Sequence, residues 1–292
     1  MDLKQLTYLV AVADTGSFTA AARRHHVAQS AISMAIARLE QRLELKLFER
    51  QERRIRITPE GEVLLAHARR LLQQAERAER EMEELKSLVR GEVRIGIPFM
   101  MGSYFFPPIL MAFKHRYPGL RIEVDEAGTR ELLSRMATGE LDLAILIASD
   151  LPGELMGARL VREEMVAVVG EEHPWRGKSG ITLGTFFEEE LALFRQGFYH
   201  REHMESLATE AGVTPRIAFE SNLIPLHKAV VRQGFAVSTL LRMAIEEDDD
   251  LFAVPFIPPI YLDLCVAWHR DETLSRANRA LRDFLLEQCE LA

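Results

Sequence analysis

Apolar residues recur at three- and four-residue steps through the first forty positions. Leu6, Leu9, Val10 and Ala13 place an amphipathic helix over residues 3–14, which Thr15 and Gly16 close. Ser17 offers a cap oxygen to a short alanine-rich helix near 18–25, and Val27-Ala28 makes a turn. Ile32, Ile36, Leu39 and Leu43 form the buried stripe of a third helix, about 29–43, whose opposite face carries Ser30, Ser33, Met34, Ala37, Arg38 and Gln41. Beyond Leu45-Lys46-Leu47-Phe48-Glu49-Arg50, Ile55 and Ile57 alternate with Arg54 and Arg56, the pattern of a strand with one buried face. The segment predicts a two-stranded wing with an arginine-rich outer face.

A different period follows. Thr58 caps and Pro59 starts a helix that meets no Gly or Pro between Gly61 and about Val89. Leu64, Ala68, Leu71, Ala75, Ala78, Met82, Leu85 and Val89 step by four and three, the seam of a coiled coil. The alternative is a helix packed on its own chain. A helix this long outreaches a small domain, which favours pairing between subunits.

After Arg90-Gly91 short apolar runs alternate with helical stretches. Strands are expected at 93–97, 121–124 and 143–147, with helices at about 104–116 and 131–138 between them. A second series has strands at 165–169, 191–194, 217–219, 235–238 and 264–267, helices near 200–211 and 223–233, and a closing helix near 274–289. Strands separated by helices of this length imply parallel βαβ units, here in two α/β subdomains joined by crossing strands. Such sheets bind ligands outside the carboxyl ends of their strands.

Charge sharpens the division. Residues 1–60 hold ten Lys and Arg against seven Asp and Glu, a net of +3; the remainder carries −11, for a total of −8. A modestly basic head on an acidic body suits a module that meets phosphates while the rest stays clear. The two cysteines, Cys265 and Cys289, have no CxxC spacing, so neither a disulfide framework nor a zinc site is expected. No apolar run approaches the roughly 18 residues that span a bilayer, and no secretory signal opens the chain, so a cytoplasmic protein without membrane contact is expected. P-loop, GxSxG and HExxH motifs are missing, so no enzyme, cofactor or catalytic residue is expected. Asp248-Asp249-Asp250 reads as a solvated loop rather than a metal site, and His200 and His203 share a helical face with no third ligand in view. His25-His26 stands where phosphate contact is open to it.

Helix, short helix, turn, longer helix and wing is the winged helix-turn-helix order, in which the last helix enters the major groove. Residues 18–62 closely resemble that domain of LysR-type transcriptional regulators through Ala20-Ala21-Ala22, Gln29-Ser30-Ala31-Ile32-Ser33, Leu39-Glu40, Leu47-Phe48-Glu49-Arg50 and Thr58-Pro59-Glu60-Gly61. The resemblance implies that Gln29, Ser30, Ser33 and Arg38 present to the groove and that Arg50, Arg53, Arg54 and Arg56 hold the backbone. Arginines of this kind also simply face water. Where many members carry an arginine after the recognition-helix serine, this chain has Met34, which either packs or touches a thymine methyl; packing is the expectation.

The C-terminal half resembles the LysR-type effector domain, itself similar to periplasmic solute-binding proteins, through Arg94-Ile95-Gly96, Gly102-Ser103-Tyr104, Arg116-Tyr117-Pro118, Gly139-Glu140-Leu141-Asp142-Leu143-Ala144-Ile145 and Gly234. The division expected is a DNA-binding domain over 1–58, a dimerising helix over 59–90 and an effector domain over 91–292. Within that domain, subdomain I spans about 91–161 and 267–292, and subdomain II about 162–266. The family pattern puts ligand near 98–104, 128–130, 147–149, 196–199 and 221–223, which nominates Phe99, Met100, Met101, Ser103, Thr129, Ile147, Phe198, Ser221 and Asn222. Phe99, Met100 and Met101 favour an effector with an apolar or aromatic body and a small polar end near Thr129 or Asn222. The alternatives are that these side chains fill the cleft without an effector response, or that the lone Ser and Thr are caps. The resemblance implies a homodimer or homotetramer acting on double-stranded DNA, a small-molecule effector that alters DNA bending, and RNA polymerase as a partner. A solute-binding protein or enzyme with a helical appendage is the reading from another class.

Overall fold

A computed structural model describes residues 1–51, 54–86, 91–271 and 273–290. The chain divides into two compact units near residues 88 and 89. The first begins with α1 (Leu3–Thr15), α2 (Phe18–Arg24) and α3 (Gln29–Leu43). The Asp2 side chain caps α1 and Ser17 caps α2, while Gly16 closes α1 at φ +61°, a conformation that suits glycine. Leu6, Leu9 and Val12 of α1 meet Ala21 and Ala22 of α2 and Ile32, Ile36 and Leu39 of α3 in one buried cluster. The alanines allow the close helix approach.

The wing is β1 (Phe48–Gln51) and β2 (Arg54–Ile57), antiparallel with Phe48 opposite Ile57. Thr58 ties it to α4 (Pro59–Lys86): its hydroxyl donates to the Lys46 carbonyl at 2.6 Å and accepts from the Gly61 N–H at 3.0 Å. Gly61 is required by space. A Cβ there would lie 2.3 Å from the Leu47 carbonyl oxygen. The first turns of α4 pack on the domain's own core through Leu64, Ala68 and Leu72, and Arg69 bonds Asp14 of α1 at 2.7 Å. The seam is therefore split, with Leu64 and Ala68 packed on their own chain and Leu71 and Met82 exposed. The Leu85 side chain and Val89 lie outside the described residues.

The second unit is one eight-stranded sheet in two lobes. Lobe I contains β3 (Gly91–Pro98), α5 (Phe106–Arg116), β4 (Leu120–Ala127), α6 (Thr129–Ala137) and β5 (Leu143–Ile147), with a π-helical turn at Met101–Phe105 before α5. The long β6 (Leu155–Gly170) crosses to lobe II, formed by α7 (Leu183–Phe187), β7 (Glu190–Leu193), α8 (Tyr199–Glu210), β8 (Arg216–Glu220), α9 (Ile224–Arg232) and β9 (Val237–Leu241). β10 (Leu251–His269) returns to lobe I, and α10 (Arg276–Glu290) closes the chain. The order is β4-β3-β5-β10-β6-β9-β7-β8. Strands β3, β4 and β5 are parallel, as are β7, β8 and β9, while β6 and β10 pair antiparallel from Leu155 opposite His269 to Gly170 opposite Leu251.

Two corrections concern length. The expected strands at 165–169 and 264–267 are the ends of a 16-residue and a 19-residue strand. Arg159, Arg162, Glu163 and Glu164 mask the pattern in β6, and Pro255, Pro258 and Pro259 mask it in β10. A third correction concerns Asp248, which is no freely solvated residue: it pairs with Lys228 at 2.5 Å and with Arg232, which also binds Asp250. The Asp142 of the resemblance motif has a clear task. Its carboxylate accepts from the Arg94 N–H at 3.0 Å and its own N–H donates to the Arg94 carbonyl at 2.9 Å, fixing β3.

Candidate nucleic-acid interface and ligand cleft

Helix α3 buries Ile32, Ile36 and Leu39 and leaves Gln29, Ser30, Ala37, Arg38 and Gln41 exposed, with Ser33 half-buried. Its N-cap is Ala28, which supplies no side-chain oxygen to the first turn, and the Ala31 N–H turns instead to the Ala28 carbonyl at 3.0 Å. Met34 is 55% exposed, which overturns the packing expectation. Arg56 points to solvent from β2; the side chains of Arg50 and Arg54, and all of Arg53, lie outside the described residues. The sequence places no obvious task on Glu40, yet its carboxylate accepts from the Leu47 N–H at 2.8 Å and the Phe48 N–H at 3.3 Å, and pairs with Lys46 at 2.9 Å. Burial opposes the charge, but those donors outweigh it and hold the Glu40 pKa below its usual value. Glu40 thereby clamps the wing to the helix. The edge of the His25 ring meets Tyr8, with centroids 5.9 Å apart.

In the second unit the carboxyl ends of β3, β4, β5, β7 and β9 converge on a cavity of about 70 Å³. Phe99, Met100 and Met101 enter from the end of β3, Thr129 from the start of α6, and Ile147 from the end of β5. Lobe II contributes Phe194, Phe198, Tyr199, His200 and Leu241, and β10 adds Leu262 and Leu264. Six of the nine residues nominated from sequence meet here. The other three do not: Ser103 is exposed on the π-helical turn, the Ser221 hydroxyl accepts from the Leu223 N–H at 3.0 Å, and the Asn222 side-chain oxygen accepts from the Arg195 N–H at 3.0 Å.

The cleft is shut. The rings of Phe99 and Phe198 lie 5.8 Å apart across it, and the Met100 sulfur accepts from the Leu241 N–H at 3.4 Å. A Cβ on Gly128 would press to 3.2 Å on the Gly197 carbonyl and the Phe198 ring, so glycine lets the lobes touch. Outside the cavity Arg130 of α6 bonds Glu202 of α8 at 2.9 Å, and Lys228 of α9 sits 4.4 Å from the Tyr104 ring centre. Two buried histidines flank Phe194. His227 stacks on it at 4.7 Å, donates through Nε2 to the Ser221 carbonyl at 2.7 Å, and meets the Ser238 hydroxyl through Nδ1 at 2.9 Å. His200, 4.8 Å from the same ring, has no hydrogen-bond partner on either nitrogen. Burial, reinforced by His227 and His203, pushes its pKa down to about 3. Phe194 was not nominated from sequence, and His200 was singled out only for sharing a helical face with His203 near the expected cleft; position alone carries no signal that a histidine will lack partners.

An exposed helix in a wing-bearing three-helix domain, together with a two-lobed α/β unit around a cleft, is the build of a DNA-binding regulator with a sensory domain. Residues 3–62 match the family model of bacterial regulatory helix-turn-helix proteins of the lysR family, and residues 86–290 match the LysR substrate-binding domain. Among curated relatives, the transcriptional dual regulator GltC of Bacillus subtilis is 31% identical over 87% of this chain and 85% of its own length. The dual regulator OxyR of Escherichia coli is 26% identical over 89% and 85%. A solved full-length OxyR variant from Pseudomonas aeruginosa superposes with a TM-score of 0.74 at 26% identity, covering 100% of this chain and 96% of that one. The chain belongs to the LysR family of transcriptional regulators, a family of DNA-binding regulators rather than enzymes. No helix among the described residues is long and apolar enough to cross a membrane.

Proposed function

We propose that the protein is a cytoplasmic regulator that binds double-stranded DNA as a dimer through α4, with tetramers built by contacts between sensory domains, and that a small molecule in the cleft alters how it bends DNA and admits RNA polymerase. Gln29, Ser30, Ser33, Met34 and Arg38 read the major groove, while Arg50, Arg53, Arg54 and Arg56 hold phosphates. The exposed polar face of α3 opposite its buried stripe carries the reading. Exposed Leu71 and Met82 on α4 support the pairing. The closed contact between Phe99 and Phe198 supports a switch, because a ligand that prefers one lobe arrangement shifts its population.

The relatives include proteins named as hydrogen peroxide-inducible genes activators, but a thiol sensor is disfavoured here. Thiolates are the reactive form, and burial raises Cys265 to about 11 and raises Cys289 as well. A gel shift on the DNA upstream of the protein's own gene is the test. Retardation at nanomolar protein that fades steeply with salt and is lost in Gln29→Ala/Arg38→Ala supports the reading; equal retardation of the double variant overturns it.

A further inference from the structure

Of the residues lining the cavity, His200 is the one whose polar side-chain atoms are fully buried and without a hydrogen-bond partner. His200 is 6% exposed, lines the cavity, and bonds to nothing through Nδ1 or Nε2. Its neighbour across Phe194, His227, is as deeply set and satisfied on both nitrogens, so the fold is able to satisfy a histidine here. Buried polar groups ordinarily find partners, and one left open beside a cavity is set to meet something that enters it. The rest of the lining is apolar or aromatic apart from Thr129 and Tyr199, and it contains no Lys, Arg, Asp or Glu.

We propose that His200 is the polar contact of the effector cavity and selects an uncharged ligand with an aromatic ring and a single hydroxyl, of the phenol class. This rests on the cleft being the effector site. A neutral imidazole offers one donor and one acceptor, and a hydroxyl is the smallest group that complements either. A carboxylate would bring a full charge to walls that hold no cation, where the first turn of α6 supplies only a partial positive charge. Burial keeps the imidazole neutral well below physiological pH. The cavity of about 70 Å³ is roughly half of the ~150 Å³ that holds benzene in a dry protein interior. A ring therefore enters by displacing Phe99 or Phe198 and replacing their contact across the lobes. The same exchange would couple binding to lobe position.

Calorimetry on the full chain with phenol, toluene and benzoate tests this. Phenol is expected to bind at least tenfold tighter than either, with a heat that does not change between buffers of different ionisation enthalpy, because no proton is taken up. His200→Leu is expected to erase the advantage over toluene while leaving toluene binding in place. His200→Gln, which keeps a donor and an acceptor, is expected to retain part of it, and Phe198→Trp, which fills the cavity, to abolish binding of all three. If toluene or benzoate binds as tightly as phenol, or if folded His200→Leu or Gln variants fail to follow this order, the assignment of His200 falls and the cleft reading stands. If none of the three binds, or phenol binding survives Phe198→Trp, both fall.

Discussion

The carboxylate of Glu40, late in α3, accepts the backbone N–H of Leu47 at 2.8 Å, seven residues on, where the chain turns into the wing. With Phe48 and Lys46 it gathers three donors, so the wing is held to the helix by one side chain. Glu40→Ala would leave the Leu47 donor, on a part-buried backbone, unpaired. We expect a loss of about 1–3 kcal/mol in the unfolding free energy of the full chain and weaker DNA binding at every sequence, both measurable by denaturation and gel shift. Because Glu40 is depressed in the fold, its contribution is present above the unfolded carboxylate range and fades as pH falls below about 4.5, so the difference between wild type and Glu40→Ala should shrink in acid.

Gly61→Ala tests the same junction from the other side. The added Cβ would stand 2.3 Å from the Leu47 carbonyl oxygen, and backbone must move to admit it. The expected cost is about 1–3 kcal/mol, the range for overpacking, read as a lowered melting temperature with loss of DNA retardation.

Met34 stands exposed on the polar face of α3, so its replacement should leave stability within about 0.5 kcal/mol. Met34→Arg adds a cation at that face. Affinity for DNA should rise, and the slope of log K against log salt should steepen by about 0.9 for one added phosphate contact. An unchanged slope would place residue 34 away from the backbone.

Much of the DNA-binding unit was legible because its helices satisfy themselves locally: Ile32, Ile36 and Leu39 announce which face of α3 is buried, and the Ser17 cap and Gly16 stop stand where their chemistry places them. The role of Glu40 was not, since its partners lie in a wing whose approach is set by tertiary packing. In the sensory unit β5 was read residue for residue from an all-apolar run. β6 and β10 were read short because they run half exposed between lobes, where alternation with charge and proline hides a strand. Among the nominated cleft residues, Phe99, Met100 and Phe198 sit at strand and helix ends that topology brings together, whereas Ser221 and Asn222 spend their side chains on nearby backbone. Spacing distinguishes a cleft position from a loop position; it does not say whether a polar atom is already occupied.

Two buried histidines and the half-buried His203 should make the fold sensitive to mild acid. His200, His203 and His227 all have folded pKa values below the ordinary 6.5, with burial the largest cause in each, so the unfolded chain binds protons more readily. Stability is fully present above pH 6.5 and falls as pH drops toward the folded values. His200 alone, charged in the unfolded chain and neutral in the fold, should cost about 2 kcal/mol at pH 5 relative to neutral pH. Denaturation of wild type and His200→Leu between pH 5 and 7.5 checks this; the variant should show the shallower dependence.

Leu71 and Met82 are exposed along α4 and, among the described residues, stand outside the buried cluster of their own domain. Leu71→Glu with Met82→Glu should leave the melting of a monomer intact while reducing the molar mass seen by light scattering to one chain. DNA retardation should be lost with it, since two recognition helices would no longer be held in register.

Both connections between the lobes, β6 and β10, run side by side as one ladder rather than as separate tethers. Such a ribbon would resist stretching, so a twist about its long axis is the interlobe motion expected to cost least. The ladder slips register twice, between Pro255 and Ile260 and between Leu264 and Cys265, and Leu264 is also part of the cavity wall. A guest pressing on that wall would meet the ribbon beside one of its two irregular stretches, so strain from the cleft would pass straight into the strands that join the lobes.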